Sequence, residues 1–402
     1  MINLETPKKF SGLVMQAHQV AQQMFRPISR KYDVAEHAYP KELDTLAALL
    51  DGMSAGGGNS GAGATGVRRS EHTEEGNRNA ANMASVLGCA ELCWGDVGLL
   101  LSMPRQGLGN SAIASVANDE QLARFKGRWA AMAITEPHCG SDSAAIRATA
   151  RLDGDHYVLN GDKIFVTSGE RAELVVVWAT LDKNAGRAAI KSFVVEKGTP
   201  GFELVRLEHK LGIRSSDTAQ FALRDCRVPA ANLLGEPTIN VEKGFAGVMQ
   251  TFDNTRPLVA AMGLGLAKAC LDETKKILEK AGVVIDYAKS SLNQSNAAAE
   301  YIRMEADYES ARLLTLEAAW MADNRKPNSL QASMAKAKAG RSCVDIALKC
   351  VELCGSTGYA ESSLLEKWAR DAKILDIFEG TQQIQQLIVA RRLLGKNSSE
   401  LK

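Results

Sequence analysis

The stretch HYVLNGDKIFVTS (156–168) decides how the chain is read. Apolar and polar residues alternate on both sides of Asn160-Gly161, a dipeptide that tolerates positive φ, and the pattern predicts a β-hairpin turning there. Toward the C-terminus follow AELVVVWATL (172–181), AIKSFVVEK (189–197), FELVRLE (202–208) and TAQFALRDCRV (218–228), separated by Gly, Pro and Asn. Closely spaced strands with no helix between them predict an antiparallel barrel or sandwich, a middle β domain over 131–240. On both flanks the period changes. KELDTLAALLDGM (41–53) and ASVLGCAELCWGDVGLLLSM (84–103) repeat apolar residues at three and four spacing, so 1–130 is expected to be a helical domain. RPLVAAMGLGLAKACLDETKKILEKAG (256–282) reads as a helix with Pro257 in its first turn and Gly282 at its end. Further helices are expected at 293–324, 328–354, 361–375 and 382–394, a four-helix-type bundle occupying 241–402. The fold class is α+β, ordered helical, β, helical.

Composition sets the outer limits. In 402 residues, 48 Lys+Arg stand against 47 Asp+Glu, a net charge of +1, so no excess of cations exists to neutralise a nucleic-acid backbone. Aromatic residues are 5%, too few for a surface that stacks unpaired bases. No apolar run is long enough for a transmembrane helix, and MINLETPKKFSGLVMQAHQ (1–19) lacks the pattern of a signal peptide. The expectation is a cytoplasmic metabolic protein bound to neither nucleic acid nor membrane. None of the 8 cysteines forms a Cys-x-x-Cys pair or sits at zinc-ligand spacing, and they are expected to be reduced core thiols. No Glu-x-x-His pair marks a metal-bearing bundle. The glycine-rich AGGGNSGAGATG (55–66) lacks the spacing of a phosphate-binding loop and reads as a loop.

Three motifs lie in order along this frame: ITEPHCGSD (134–142) opens the β zone, FDNTRPLVAA (252–261) opens the C-terminal helices, and RDAKILDIFEGTQQIQ (370–385) lies near the end. Over about 90–395 the chain resembles the acyl-CoA dehydrogenase family of flavoproteins. The resemblance implies FAD and an acyl-CoA substrate. Desaturating an acyl thioester between Cα and Cβ needs a base for the α-proton and an acceptor for a hydride. No side chain accepts hydride, which is why a flavin is required.

The resemblance assigns roles one by one. Glu379 in the EGT motif is the implied catalytic base; a carboxylate with apolar flanks has its pKa raised toward neutrality. Phe378 and Gly380 flank it at the substrate, Gly380 by admitting close backbone approach. Read without the family, Glu379 is a loop carboxylate capping the helix at 382–394. Thr135 is expected against the flavin ring, and Ser141 toward the phosphates or the thioester. Phe165 and Thr167 in KIFVTSG cover the ring and its reactive edge; the family often carries Trp at the Phe165 position, so stacking survives without the indole N–H. Thr381 and Gln383 are assigned to the adenosine half. Asp253 and Arg256 are placed beside the substrate arm, where a buried Arg256 would oppose the effect of burial on Glu379.

The chain departs from the family pattern in one function. Where members carry Arg and an aromatic residue that clamp the FAD pyrophosphate of a neighbouring subunit, LDETKKILEKAGVVIDY (271–287) has Ala281, Val283 and Val284. Glu352 replaces a usual Gln, and Ser356 a usual Gly. Aliphatic groups offer no donors to phosphate, and a carboxylate repels it. These losses predict a hetero-oligomer with a related acyl-CoA dehydrogenase subunit that completes the FAD site, as in steroid- and lipid-degrading bacterial assemblies; a homo-oligomer is the simpler alternative. Two other readings stay open, a non-catalytic scaffold subunit and an acyl-CoA oxidase. Electron-transfer flavoprotein is the acceptor that the resemblance suggests.

Overall fold

The computed structural model describes residues 6–54, 78–105, 108–239, 246–397 and 400. The 55–66 segment lies outside the described residues, as does the side chain of Asp253. The chain opens with helices α1 (Ser11–Val20), α2 (Arg26–Val34), α3 (Glu42–Ser54), α4 (Ala81–Gly95), α5 (Val97–Leu101), α6 (Leu108–Val116) and α7 (Asp119–Arg124). Asp96 separates α4 from α5: its extended backbone breaks the helix, and its carboxylate accepts from the Leu99 N–H at 2.8 Å as the N-cap of α5.

Among the described residues seven strands follow: β1 (Ala130–Ala133), β2 (Thr149–Asp153), β3 (His156–Thr167), β4 (Leu174–Thr180), β5 (Ile190–Glu196), β6 (Phe202–Leu207) and β7 (Thr218–Pro229). They form one curled sheet ordered β1-β4-β2-β3-β7-β6, with β5 on β4. The pairing is antiparallel except on one edge of β4, where β1 and the first residue of β2 run parallel to it. LVVVWAT in β4 is buried along its whole length, as a strand covered on both faces must be.

Asn160-Gly161 does not make the expected turn. β3 runs unbroken through it, and the β2–β3 hairpin turns instead at Gly154-Asp155. The positive φ that the dipeptide tolerates is used for a bulge: Gly161 has φ 151°, and the register to β7 slips between Leu159 and Gly161. Ala148 lies where a side chain at Gly161 would go, 2.6 Å from an added Cβ. The Asn160 amide bonds across the bulge to Asp225, receiving its N–H at 2.9 Å.

The C-terminal helices are α8 (Ala246–Lys280), α9 (Asn296–Asp323), α10 (Ser329–Tyr359), α11 (Leu365–Leu375) and α12 (Gln382–Leu394). Pro257 is inside α8, three turns from its start, and not in its first turn. The helix simply begins earlier than the local proline rule suggests, and it continues past a residue with no N–H to donate. α10 is interrupted at Gly355, whose φ of 53° kinks it close to the expected end at 354. Along α10, Ala332, Ala335 and Ala339 are buried against Ala260 and Leu264 of α8. These small side chains bring the two helices close, so a Cβ on Gly263 would lie 3.1 Å from the Ala339 carbonyl. A larger core joins both helical parts, with Phe25, Val86, Leu266, Ile346 and Trp368 in one apolar cluster. All 8 cysteines are free thiols, and all but the half-buried Cys139 are buried.

Candidate active site

The segment between α11 and α12 carries strained backbone. Glu379 has φ 56° and Gly380 φ 90°, two left-handed residues in succession. Such a backbone costs of order 1–3 kcal/mol at a non-glycine residue and persists only where its surroundings hold it. Here they do. The buried Gln385 amide donates to the carbonyls of Glu379 and Gly380 at 3.0 and 3.2 Å, and the buried Lys336 ammonium donates to the Gly380 carbonyl at 2.6 Å.

Thr381, not Glu379, caps α12, its hydroxyl accepting from the Ile384 N–H at 3.4 Å. The Glu379 carboxylate is thereby left to turn toward α8, where it accepts from the Thr255 hydroxyl at 3.0 Å. Arg256 on α8 and Lys336 on α10 add positive charge beside it. Burial pushes the Glu379 carboxyl above the ordinary carboxylate value, and Thr255, Arg256 and Lys336 pull against that push without reversing it. Phe378 is half-buried and packs on the large helical core. Gly380 serves the chain itself: an added Cβ would collide with the Gln385 amide. Sequence reasoning expects Gly380 to admit a ligand; the close approach that the structure shows is to Gln385 of its own chain.

A second group of the expected residues lies on the sheet. Glu136 of the TEP motif is buried and accepts from Lys163 at 2.7 Å and from the backbone N–H groups of Arg147 and Ala148 at 2.8 and 3.0 Å. This pair fastens the 134–148 loop to β3, and the Ile164 N–H donates to the Thr135 carbonyl at 3.0 Å. Next to that contact β3 bulges again: Phe165 has φ 57°, and the register slips between Lys163 and Val166. Phe165 is 59% exposed, an apolar ring held outward on strained backbone. Thr135 and Thr167 are half-buried, whereas Ser141 and Gln383 are exposed. An aromatic face with hydroxyls nearby suits a flat ring system with a polar edge, so the residues present fit a flavin.

The structure thus brings Glu379 together with Arg256 and Gly380, and Thr135 with the Phe165 bulge. Three residues that sequence reasoning passed over belong to these groups. Thr255 lay inside the FDNTR motif yet read only as part of a helix start. Glu136 lay inside TEP, and Lys336 in an alanine-rich helix with no local sign of its partner. Two surface concavities of about 450 and 500 Å³ lie elsewhere, one against Arg124 and Tyr157 and one against Tyr39 and Arg171.

A helical part, a curled sheet and a helical bundle, with a desolvated carboxylate on a strained turn and an exposed aromatic ring on the sheet, define a flavoenzyme class. The chain matches the family model for the acyl-CoA dehydrogenase C-terminal domain over residues 242–394 and that for the middle domain over 131–226. It is 33% identical to the mitochondrial short-chain specific acyl-CoA dehydrogenase of Rattus norvegicus, over 98% of this chain and 92% of that protein. Butyryl-CoA dehydrogenase from Megasphaera elsdenii superposes with a TM-score of 0.81 at 28% identity, covering 98% of this chain and all (100%) of that one. A chain solved in work on the electron transferring flavoprotein of Acidaminococcus fermentans gives 0.80 at 29% identity, with 98% and 100% covered. The chain belongs to the acyl-CoA dehydrogenase family of FAD-dependent oxidoreductases. Among the described residues no helix is long and apolar enough to cross a membrane.

Proposed function

We propose that this chain removes the α-proton of a short acyl-CoA thioester with the Glu379 carboxylate, giving the α,β-unsaturated product. The observation that carries the reading is a single carboxylate, lifted in pKa by burial, held on a left-handed turn and oriented by the Thr255 hydroxyl. A base is most effective when its pKa approaches the working pH, and burial moves Glu379 that way. Bound FAD supplies the hydride acceptor that no side chain can provide. Phe165, Thr135 and Thr167 would hold its ring, Ser141 its phosphate side, and Thr381 and Gln383 its adenosine half. Asp253, Arg256, Phe378 and Gly380 would line the acyl-CoA. The short acyl group follows from the relatives, which are a short-chain and a butyryl-CoA enzyme. Electron transferring flavoprotein is the proposed acceptor.

The test is anaerobic mixing of purified protein with butyryl-CoA while the flavin absorbance is followed. Glu379→Gln is expected to keep its FAD and to lose bleaching by at least about a thousandfold, since the proton has no other acceptor. Bleaching at the wild-type rate in that variant would remove Glu379 from the role. Oxygen consumption without added acceptor would instead favour an oxidase.

A specific observation also supports FAD shared with a related subunit. Ala281 and Val284 lie exposed, Val284 to 75%, and the Glu352 carboxylate is engaged by Lys349 at 2.7 Å on the α10 surface. None of the three offers a phosphate a donor. FAD counted per protomer checks this: low occupancy in the lone chain, rising when a related subunit is co-expressed, is the expected result. One tightly held FAD per chain in a homo-oligomer excludes it, and no flavin in either state would favour a scaffold subunit.

A further inference from the structure

We infer that Lys336 and Gln385 form a clamp that fixes the left-handed Glu379-Gly380 turn, and that Lys336 is a positioning residue for the base. The inference rests on the assignment of Glu379 as base. Lys336 is wholly enclosed, 0% exposed, on the alanine-rich stretch of α10. Its ammonium donates to the Gly380 carbonyl at 2.6 Å, although a buried ammonium ordinarily demands a carboxylate. Gln385, also 0% exposed, bonds the two carbonyls of the turn from the other end, one helical turn into α12. Two buried polar side chains from different helices therefore converge on two consecutive carbonyls. One of those carbonyls belongs to Glu379, a non-glycine residue at φ 56°, a conformation that persists only with such support. Removal of Gln385 takes a donor from both carbonyls and removal of Lys336 takes one of the two from Gly380, and either frees the turn to relax.

The ammonium has a second effect, through space. The charged groups acting on Glu379 are Arg256 from α8 and Lys336 from α10; Lys336 in turn feels Asp376 at the end of α11, which is itself paired with Arg341 and Lys373. Lys336 holds Glu379 down, so loss of its charge lifts the carboxyl further. Desolvation in turn lowers Lys336 to about 8, so the ammonium is present across the neutral range and is lost above it.

The variants separate hydrogen bond from charge. In FAD-loaded Lys336→Met, both are gone: the acid limb of the kcat/KM profile is expected to move to higher pH by about half a unit to one unit. Its kcat is expected to fall roughly tenfold with KM little changed, as for a misplaced catalytic group. Lys336→Gln keeps a donor without charge, so the limb moves while kcat recovers to within about threefold. Gln385→Met loosens the turn without altering charge, lowering kcat and leaving the limb in place. A readout independent of turnover is the infrared band of protonated Glu379, identified by its loss in Glu379→Gln and titrated in each variant. An unmoved limb and an unmoved band in Lys336→Gln and Lys336→Met overturn the electrostatic role; wild-type kcat in Gln385→Met overturns the clamp. If Glu379→Gln still bleaches flavin, the base assignment fails, while the infrared titration continues to report whether Lys336 governs that carboxyl.

Discussion

Glu379 is a side chain set by opposing influences, of which burial is the largest. Burial favours its neutral form; the Thr255 hydroxyl, Arg256 and Lys336 favour the anion. Thr255→Val should raise the Glu379 pKa further, moving the acid limb of activity up by about half a unit, which a pH–rate profile measures directly. The same shift has a sign in stability. A carboxyl whose folded pKa lies above its unfolded value binds the proton more tightly when folded, so stability falls as pH rises from the unfolded value through the folded one. Glu379→Gln removes that loss and is expected to be more stable than the parent at pH 7–8. Urea denaturation of the two proteins at pH 5 and pH 8 checks it: the difference should be small at the lower pH and appear at the higher.

The middle sheet shows what local pattern can and cannot convey. The β-rich runs over 156–228 place β3 to β7, by alternation where one face is buried and by a continuous apolar run in β4, whereas β1 and β2 carry no such pattern. Asn160-Gly161 misled because positive φ serves a bulge as well as a turn, and the choice belongs to Ala148 and Asp225, residues distant in sequence. Pro257 misled similarly, since the preference for a first turn is statistical while α8 is held by packing on α4 and α10. EGT and TEP were readable as motifs, but Lys336 was not, because its partner is 44 residues away. Glu136 gives the sheet a direct test. Glu136→Gln leaves Lys163 buried without its counter-charge, which costs about 3–5 kcal/mol. The 134–148 loop should then loosen from β3, and FAD affinity should fall together with the urea midpoint. A variant with unchanged midpoint would contradict the role given to this pair.

At the scale of the whole chain, one buried ammonium joins parts that the sequence separates widely. Lys367 on α11 reaches Asp96 at the start of α5 at 2.6 Å and Asp371 at 2.5 Å. Asp96 also receives the Ser29 hydroxyl, and Asp371 receives the Ile213 N–H at 2.5 Å from the loop between β6 and β7. That loop passes so close to α11 that a Cβ on Gly212 would lie 2.5 Å from the Arg370 backbone. Lys367 is held protonated, above the ordinary lysine value, by the two carboxylates. Lys367→Met strands two buried acids and is expected to lower stability by about 3–5 kcal/mol, read as a fall in the urea midpoint of a single transition. Two separated transitions would show that the helical parts and the sheet melt independently.

That junction also limits how the gene can be recombined with its relatives. A crossover near codon 240 delivers Lys367 and Asp371 from one parent into a frame whose Asp96 and Gly212 come from the other. Shuffled progeny should survive there only when both parents encode the same acid and the same glycine, however similar the exchanged halves are elsewhere.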